Sequence, residues 1–308
     1  MFNGHMETII PSMFFKVPDC EYNRERLELP DGDFLDIDWL KHSKNDFLMV
    51  ISHGLEGSSD RYYVKRMATF FHARNWDVLA WNCRSCSGEM NRLSKFYHHG
   101  ATEDLDAVIA HAVGANKYSA IVLVGSSMGG SMSIKYIGEQ RRSEIIKAVV
   151  TFSVPCNLKD SAIQLQLRSN RFYEKRFVRK LIEKVNQKRL NHPELNNIDL
   201  DNVQDFDTFH ERFTVPVYGF NNIQEFYHTA TCDRYFDGVK VPILICNAAN
   251  DPMLGELCYP KSYAGNSPYI SLEIPKVGGH VGFTLQGKPY SYMELRTEAY
   301  LTELGLMP

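Results

Sequence analysis

Ala120-Ile-Val-Leu-Val124, then Gly125-Ser-Ser-Met-Gly129, then Gly130-Ser-Met-Ser-Ile-Lys-Tyr-Ile137 is the stretch that decides the fold. The first piece is a short apolar, β-branched run and reads as a buried strand, and the last can be helical. A strand, a G-x-S-x-G turn and a helix in that order put a serine on a bend tight enough to admit only small flanking residues. The glycines let the chain double back, and the Ser127 hydroxyl stands clear of the sheet. The N-terminus of the next helix faces the point where a reacting oxygen would carry charge. Ser126 and Ser131 flank the turn, but Ser127 holds its central position. The string occurs by chance in many proteins, so its reading as a nucleophile depends on an acid and a base elsewhere.

Both are present in the sequence. Val241-Pro-Ile-Leu-Ile-Cys-Asn247 reads as a buried strand with proline at its start, and it runs into Ala248-Ala-Asn-Asp251-Pro252. Tyr269-Ile-Ser-Leu-Glu-Ile274 is another strand and leads to Gly278-Gly-His280-Val-Gly282. A lone aspartate after a strand is ordinarily a turn or cap residue, and a lone loop histidine is ordinarily solvated. The order Ser127, Asp251, His280 is that of α/β-hydrolases, whereas other serine-hydrolase folds use other orders. Asp233 and Asp237 are alternative acids, but no strand leads into either. Phe47-Leu-Met-Val-Ile-Ser52 is a further strand and ends in His53-Gly-Leu-Glu-Gly57. Acyl transfer needs two backbone N–H donors aimed at a developing oxyanion. The residue after the nucleophile, Met128, and the loop residue Leu55 are the expected pair. His53 is expected to brace that loop, and Glu56 to be structural or to line the mouth.

The rest of the chain supplies a matching architecture. Glu25 to Trp39 alternates polar and apolar residues on both sides of Pro30-Asp-Gly-Asp33, which predicts a hairpin at an antiparallel sheet edge. Strands at 47–51, 77–82, 120–124 and 148–153 alternate with helices at 60–74 and 102–113. Asp60 is the expected N-cap of the first helix, and Val64, Met67, Ala68 and Phe71 its buried face. The second helix starts at Thr102 and buries Leu105, Val108, Ile109 and Ala112. Such alternation predicts a mostly parallel sheet with ligands bound beyond the strands' carboxyl ends. Strands 148–153 and 241–247 lie too far apart for a plain loop. Residues 156–235 therefore read as a helical cap insertion, dividing the core into 1–155 and 236–308. Within 159–189, ten basic residues face three acidic ones, and 190–211 holds six acids with no lysine or arginine. This is read as the solvated face of an amphipathic helix that turns Phe172, Phe177, Val178, Leu181, Ile182 and Val185 inward, with a basic patch that attracts an anionic substrate or membrane surface as the alternative. Phe172, Phe177 and Phe220 are expected to wall a pocket above Ser127.

These pieces together resemble the bacterial YheT family of α/β-hydrolases, related to plant EMB8-like and animal ABHD1/ABHD3-type proteins. The resemblance rests on Asn3 to Pro11, His53 to Ser59, Asn82 to Glu89 with Asn91 to Leu93, Phe96 to Gly100, Gly125 to Gly130, Ser153 to Pro155, Asn247 to Pro252 and Gly278 to Phe283. It implies a serine hydrolase with Ser127, Asp251 and His280 as its triad and leaves the substrate open. Thioesterase or acyltransferase work on the same triad, and a non-catalytic binding scaffold, are the alternatives. The family usually has glycine at Ser85, Phe-Asp at Cys156-Asn157, histidine at Tyr218 and an Asp-Asp pair at Asn250-Asp251. The first departure affects a loop, and the others are expected to reshape the pocket.

Composition bounds what remains. With 308 residues, roughly three quarters of the unfolded surface can be buried. A formal net charge of -3 argues against a nucleic-acid footprint. The opening residues lack a basic-then-apolar leader, and no apolar run approaches the ~20 residues that span a bilayer. Seven scattered cysteines suit free thiols in a reducing cytoplasm. Cys83-x-x-Cys86 has no partner pair for zinc. The adjacent His98 and His99 beside Glu103 and Asp104 lack chelating spacing, so one ring is expected to brace a loop. Arg84 and Arg92 are expected to pin loops near the active site. No metal or cofactor is expected, and the partner is a small-molecule ester.

Overall fold

The computed structural model describes residues 3–15, 17–115, 118–141 and 144–308. Met1 and Phe2 of the leader reading lie outside them. The chain opens with a helix, α1 (Gly4–Phe14), and then forms the predicted hairpin, β1 (Asn23–Glu28) and β2 (Phe34–Leu40). Next come β3 (Phe47–Ser52), α2 (Tyr62–His72), β4 (Asp77–Trp81), α3 (Glu103–Ala115), β5 (Ala120–Ser126), α4 (Met128–Gly138) and β6 (Ile146–Phe152). The eight strands form one sheet in the order β1-β2-β4-β3-β5-β6-β7-β8, where β7 is Ile243–Cys246 and β8 is Ile270–Glu273. β1 and β2 run antiparallel at one edge, and every pairing from β4 to β8 is parallel. This is the α/β-hydrolase fold.

The inner strands are buried on both faces, as their unbroken apolar runs require. Leu48, Val50, Leu79, Ile121 and Leu123 point toward α3 and α4, where they meet Leu105, Val108 and Ile134. Their neighbours Met49, Ile51, Val78, Val122 and Val124 point the other way, onto Val64, Met67 and Phe71 of α2 and onto the last helix. The parallel strands end level: Ser52 is opposite Gly125, Ser126 opposite Phe152, and Cys246 opposite both Phe152 and Glu273. The loops that follow β3, β5, β7 and β8 therefore leave from one edge.

Asp60 does not cap α2. A turn closes first, with Arg61 N–H donating to Ser58 O (3.2 Å), so the helix begins at Tyr62 with Arg61 as an N-cap whose side chain makes no capping bond. The Asp60 carboxylate reaches forward to Lys65 instead (2.8 Å). Thr102 sits one residue before α3, accepting from Asp106 N–H through its carbonyl and donating its hydroxyl to Glu139 (2.6 Å).

The segment between β6 and β7 holds helices and loops, with no strand among the described residues. It holds α5 (Leu158–Gln166), α6 (Arg171–Lys188), α7 (Phe206–Phe209), a π turn (His210–Thr214), α8 (Val215–Tyr218) and α9 (Ile223–Ala230). Of the face expected inward on α6, Val178, Leu181 and Val185 are buried, but Phe172 is 48% exposed. At about 100° per residue, Phe172 lies on the opposite side from those three. The inward stripe starts at Glu174, one turn before Val178. Glu174 is fully buried and accepts Phe206 N–H at 3.0 Å, which anchors the start of α7. The basic face is not wholly solvated either, since Lys184 and Lys188 are buried. The chain closes with α10 (Lys261–Asn266), β8 and α11 (Tyr292–Glu303). No helix among the described residues is long and apolar enough to cross a membrane.

Candidate active site

Ser127 lies at the β5–α4 junction with φ 54° and ψ −122°, a backbone state that non-glycine residues rarely adopt. The bend leaves no room around it. A Cβ at Gly125 would sit 2.5 Å from Gly129 O, and one at Gly129 would sit 2.3 Å from Ser52 O. Ser127 N–H is tied back into the sheet at Phe152 O (2.9 Å).

The three residues singled out in the sequence meet here. Ser127 Oγ is 2.8 Å from His280 Nε2. His280 Nδ1 is 2.9 Å from Asp251 Oδ2 and 3.1 Å from Oδ1. An ionised carboxylate can only accept, so Nδ1 carries the imidazole proton and Nε2 is left to accept from the serine hydroxyl. Asp251 is held past β7 by a bond from its N–H to Ala248 O, and its Oδ1 also accepts Met253 N–H (2.9 Å). The alternative acids lie elsewhere. Asp233 accepts from Asn157 and Thr231, and Asp237 from Tyr263.

In the 53–57 loop the neighbouring N–H groups are taken. Gly54 N–H donates to Tyr63 OH, Glu56 N–H to Tyr97 OH and Gly57 N–H to Gly54 O. Leu55 N–H has no acceptor among the described residues, and neither has Met128 N–H at the open start of α4. Leu55 borders the same cavity as Ser127 and His280. His53 braces the loop: Nδ1 donates to Gly54 O (2.8 Å) and Nε2 accepts Cys83 N–H (3.1 Å). Burial pushes its pKa down to about 4, so the ring stays neutral. Glu56 is spent on a buried ion pair with Lys184 of α6 (2.7 Å) and on Tyr97 OH (2.5 Å).

The sequence reading missed α1, which it treated only as part of a family signature. Thr8 Oγ1 accepts His280 N–H (2.9 Å) and donates to Gly4 O (2.6 Å). Glu7 Oε2 accepts Gly278 N–H (2.9 Å) and Asn250 Nδ2 (2.7 Å), while Asn250 Oδ1 accepts Gly279 N–H (3.1 Å). The helix thus ties the loops that carry the acid and the base. Asn3 was a legible signal, since its side chain caps α1 by accepting Met6 N–H. Pro11 inside the helix argued against it. Asn250 also explains one family departure: an amide can donate to Glu7, whereas a second carboxylate would face it.

The other departures behave differently. Ser85 stands at φ 63°, which is why glycine suits the position. Cys156, Asn157 and Tyr218 do not border the cavities at Ser127, so the expectation that they reshape the pocket fails. Asn157 caps α5, and Tyr218 OH accepts Phe96 N–H (3.1 Å). His98 Nδ1 accepts Gly100 N–H, and no metal-binding cluster exists among the described residues. All seven cysteines are free. Arg84 joins Asp31, Asp33 and Asp104, and Arg92 joins Glu28, so both pin the hairpin turn, and neither borders the cavities at Ser127.

Two cavities meet at Ser127 and His280. One, of about 500 Å³, is mostly apolar and is walled by Leu158, Leu165, Phe177, Phe206 and Tyr227 with His99 and His210. Phe177 is the only residue of the expected aromatic wall that borders it. Phe172 is exposed, and Phe220 packs on His98 and Phe226. The other cavity, of about 900 Å³, runs between α1, the 54–57 loop and α6.

The family model Hydrolase_4, described as Serine aminopeptidase, S33, matches residues 43–256. "Putative esterase YheT" of Escherichia coli (strain K12) is 27% identical, covering 97% of this chain and 90% of that protein. Phospholipase ABHD3 of Mus musculus is 24% identical over 90% of this chain and 70% of its own length. Among solved structures, the Pyrococcus furiosus esterase Pf2001 superposes with a TM-score of 0.61 at 16% identity, covering 92% of each chain.

Proposed function

The chain belongs to the Hydrolase_4 family, and on that premise we propose that it is a serine hydrolase of carboxylic esters with Ser127, His280 and Asp251 as its triad. The observation that carries the reading is the continuous relay Ser127 Oγ–His280 Nε2 (2.8 Å) and His280 Nδ1–Asp251 (2.9 Å) at a strained elbow. In this reading His280 Nε2 takes the hydroxyl proton as Oγ attacks the ester carbonyl. The N–H groups of Leu55 and Met128 receive the oxyanion, and Asp251 stabilises the imidazolium. His280 then gives its proton to the departing alcohol and leaves an acyl-serine. A water, deprotonated by the same nitrogen, releases the acid and restores Ser127.

The names of the YheT and ABHD3 relatives, esterase and phospholipase, support ester cleavage over the peptidase in the family's description. So does the charge around the site. A peptidase that reads a free amino terminus needs an unspent carboxylate near the serine. Glu56, the acid bordering the larger cavity, is already paired with Lys184, and the other charged groups there are cations.

A fluorophosphonate probe should modify Ser127, and Ser127→Ala should abolish both labelling and p-nitrophenyl ester turnover. An unlabelled folded protein, or an adduct on another serine, refutes the assignment.

A further inference from the structure

The larger cavity carries a charge pattern that the triad chemistry does not use. Arg61, Arg176 and Lys180 line it, together with Thr8, Ile9 and the Ser127–His280 pair. Arg176 and Lys180 are one turn apart on α6, and Lys184 follows one turn later, so the three cations form a row. Lys184 is neutralised by Glu56 (2.7 Å). Arg179, on a neighbouring face, has Glu183 at 3.5 Å. Arg176 and Lys180 have no acidic partner and no hydrogen bond among the described residues. Arg61 gives one N–H to a carbonyl, that of Glu56 (2.7 Å), and pairs with no acid among the described residues.

Like charges four residues apart on a helix repel, and natural helices usually relieve this with an interleaved acid. Here no acid of α6 borders the cavity, and Glu56, which does, is paired with Lys184. Burial, and then the Arg61 charge and that of Arg176, push the Lys180 ammonium below its usual value against an opposing pull from Glu56. An anion placed between the three groups would remove that repulsion. The apolar cavity on the other side of Ser127 offers no such groups, and its walls suit a hydrocarbon chain.

We propose that the Arg61–Arg176–Lys180 side of the site is a subsite for an oxyanion, phosphate or carboxylate, carried on the alcohol portion of the ester, while the apolar cavity takes the acyl chain. The inference rests on the triad reading above and adds the substrate class: an apolar acyl group esterified to an acidic alcohol. The subsite takes no part in bond making. It holds the alcohol portion so that the ester's carbonyl carbon lies against Ser127 Oγ, and its charges favour the acidic alcohol over a neutral one.

The test uses three esters with one acyl chain: a 4-acyloxyphenyl phosphate, a 4-acyloxybenzoate and a neutral 4-acyloxyanisole. Each kcat/KM is divided by the ester's own rate of hydroxide hydrolysis, which removes leaving-group reactivity. The native protein should favour the anionic esters roughly tenfold or more, the worth of one good charge-assisted hydrogen bond. The preference should fall as salt rises, because screening sets in over about 10 Å at 0.1 M. In the Arg176→Gln/Lys180→Gln variant the anionic-to-neutral ratio should drop toward one, and a general loss of fold cancels in that ratio. Preference for the phosphate over the carboxylate assigns a phosphorylated alcohol, and equal preference an acidic alcohol of either kind. No anionic preference in the native protein, or a preference that survives the double substitution, overturns the subsite. Failure to cleave any of the esters, with Ser127 unlabelled, overturns the hydrolase reading itself.

Discussion

Thr8→Val removes one oxygen and keeps the shape of the side chain, and it tests whether α1 positions the base. In the native protein the Thr8 hydroxyl is the acceptor for His280 N–H at 2.9 Å, and both residues are buried. Valine leaves that N–H without a partner, and a buried unsatisfied donor costs about 1–3 kcal/mol. Gly4 O also loses the Thr8 hydroxyl as a donor, but it keeps its place in the α1 ladder and adds little. Unfolding entropy of about 2 cal/mol/K per residue, taken over the whole chain, converts this to a Tm lower by roughly 2–5 °C. The catalytic effect should be larger. Ser127 Oγ and His280 Nε2 are 2.8 Å apart, and a shift of about 1 Å in such a pair costs on the order of 100-fold in rate. Calorimetry, steady-state kcat on a p-nitrophenyl ester and the rate of fluorophosphonate labelling would be measured together. Thr8→Val should lower kcat by about 10- to 100-fold, and Thr8→Ser should restore both rate and Tm. A Tm drop with kcat within twofold of native would show that the hydroxyl only stabilises the loop. No change in either would refute the reasoning outright.

Three other outcomes are expected. Asp251→Asn should keep the fold and lose about 10⁴ in kcat, because the amide can present the wrong group to Nδ1; Asp233→Asn or Asp237→Asn falling further than Asp251→Asn would place the acid elsewhere. Phe177→Ala and Phe206→Ala should shift the chain-length optimum across a C2-to-C12 ester series, since a methylene in an apolar pocket is worth about 1–3 kcal/mol; equal losses on every ester would make these residues stability elements only. His53 is held neutral with a pKa near 4 against an ordinary 6.5, so its contribution of roughly 3 kcal/mol is present above pH 6.5 and lost as pH falls toward 4. Denaturant titrations of His53→Gln should then show a flatter loss of stability between pH 6.5 and 4, and a slope equal to the native one would place the acid sensitivity in other groups.

What was legible in the sequence was what strand ends control. Ser127, Asp251 and His280 each follow an apolar run, and because parallel strands end level, their order along the chain already implied one edge of the sheet. The Leu55 loop followed from the same logic at β3. The failures share a cause as well. Reading α6 from apolar residues alone made Phe172 part of the buried face, when the inward stripe begins with a fully buried glutamate. A buried charge has no sequence signature until its partner is known, and Glu174 serves Phe206, 32 positions away. Lys184 and Glu56 are separated by 128 positions, Thr8 and His280 by 272. Local pattern does not reach contacts of that span.

Those long-range bonds fall on particular parts of the site. Ser127 and Asp251 are held by short backbone bonds at strand ends, to Phe152 O and Ala248 O. The sheet fixes Ser127, and a turn just past β7, tied to Glu7 of α1 through Asn250, fixes Asp251. Leu55 and His280 stand on longer loops, and a loop displaced by a fraction of an ångström would spoil an oxyanion contact or a proton transfer. These two loops are also braced from outside the sheet. Glu56, beside Leu55, is gripped by Lys184 of α6, and His280 is gripped by Thr8 of α1. Neither α1 nor α6 carries a residue of the proposed triad. Their shared work is to give the loop-borne groups the rigidity that the sheet gives Ser127. The same packing brings Arg176 and Lys180 of α6 to the mouth opposite Thr8 and Ile9 of α1. A substitution in either helix that loosens its brace should therefore register in kcat, and one that removes a cation from the mouth should register in the choice between acidic and neutral alcohols.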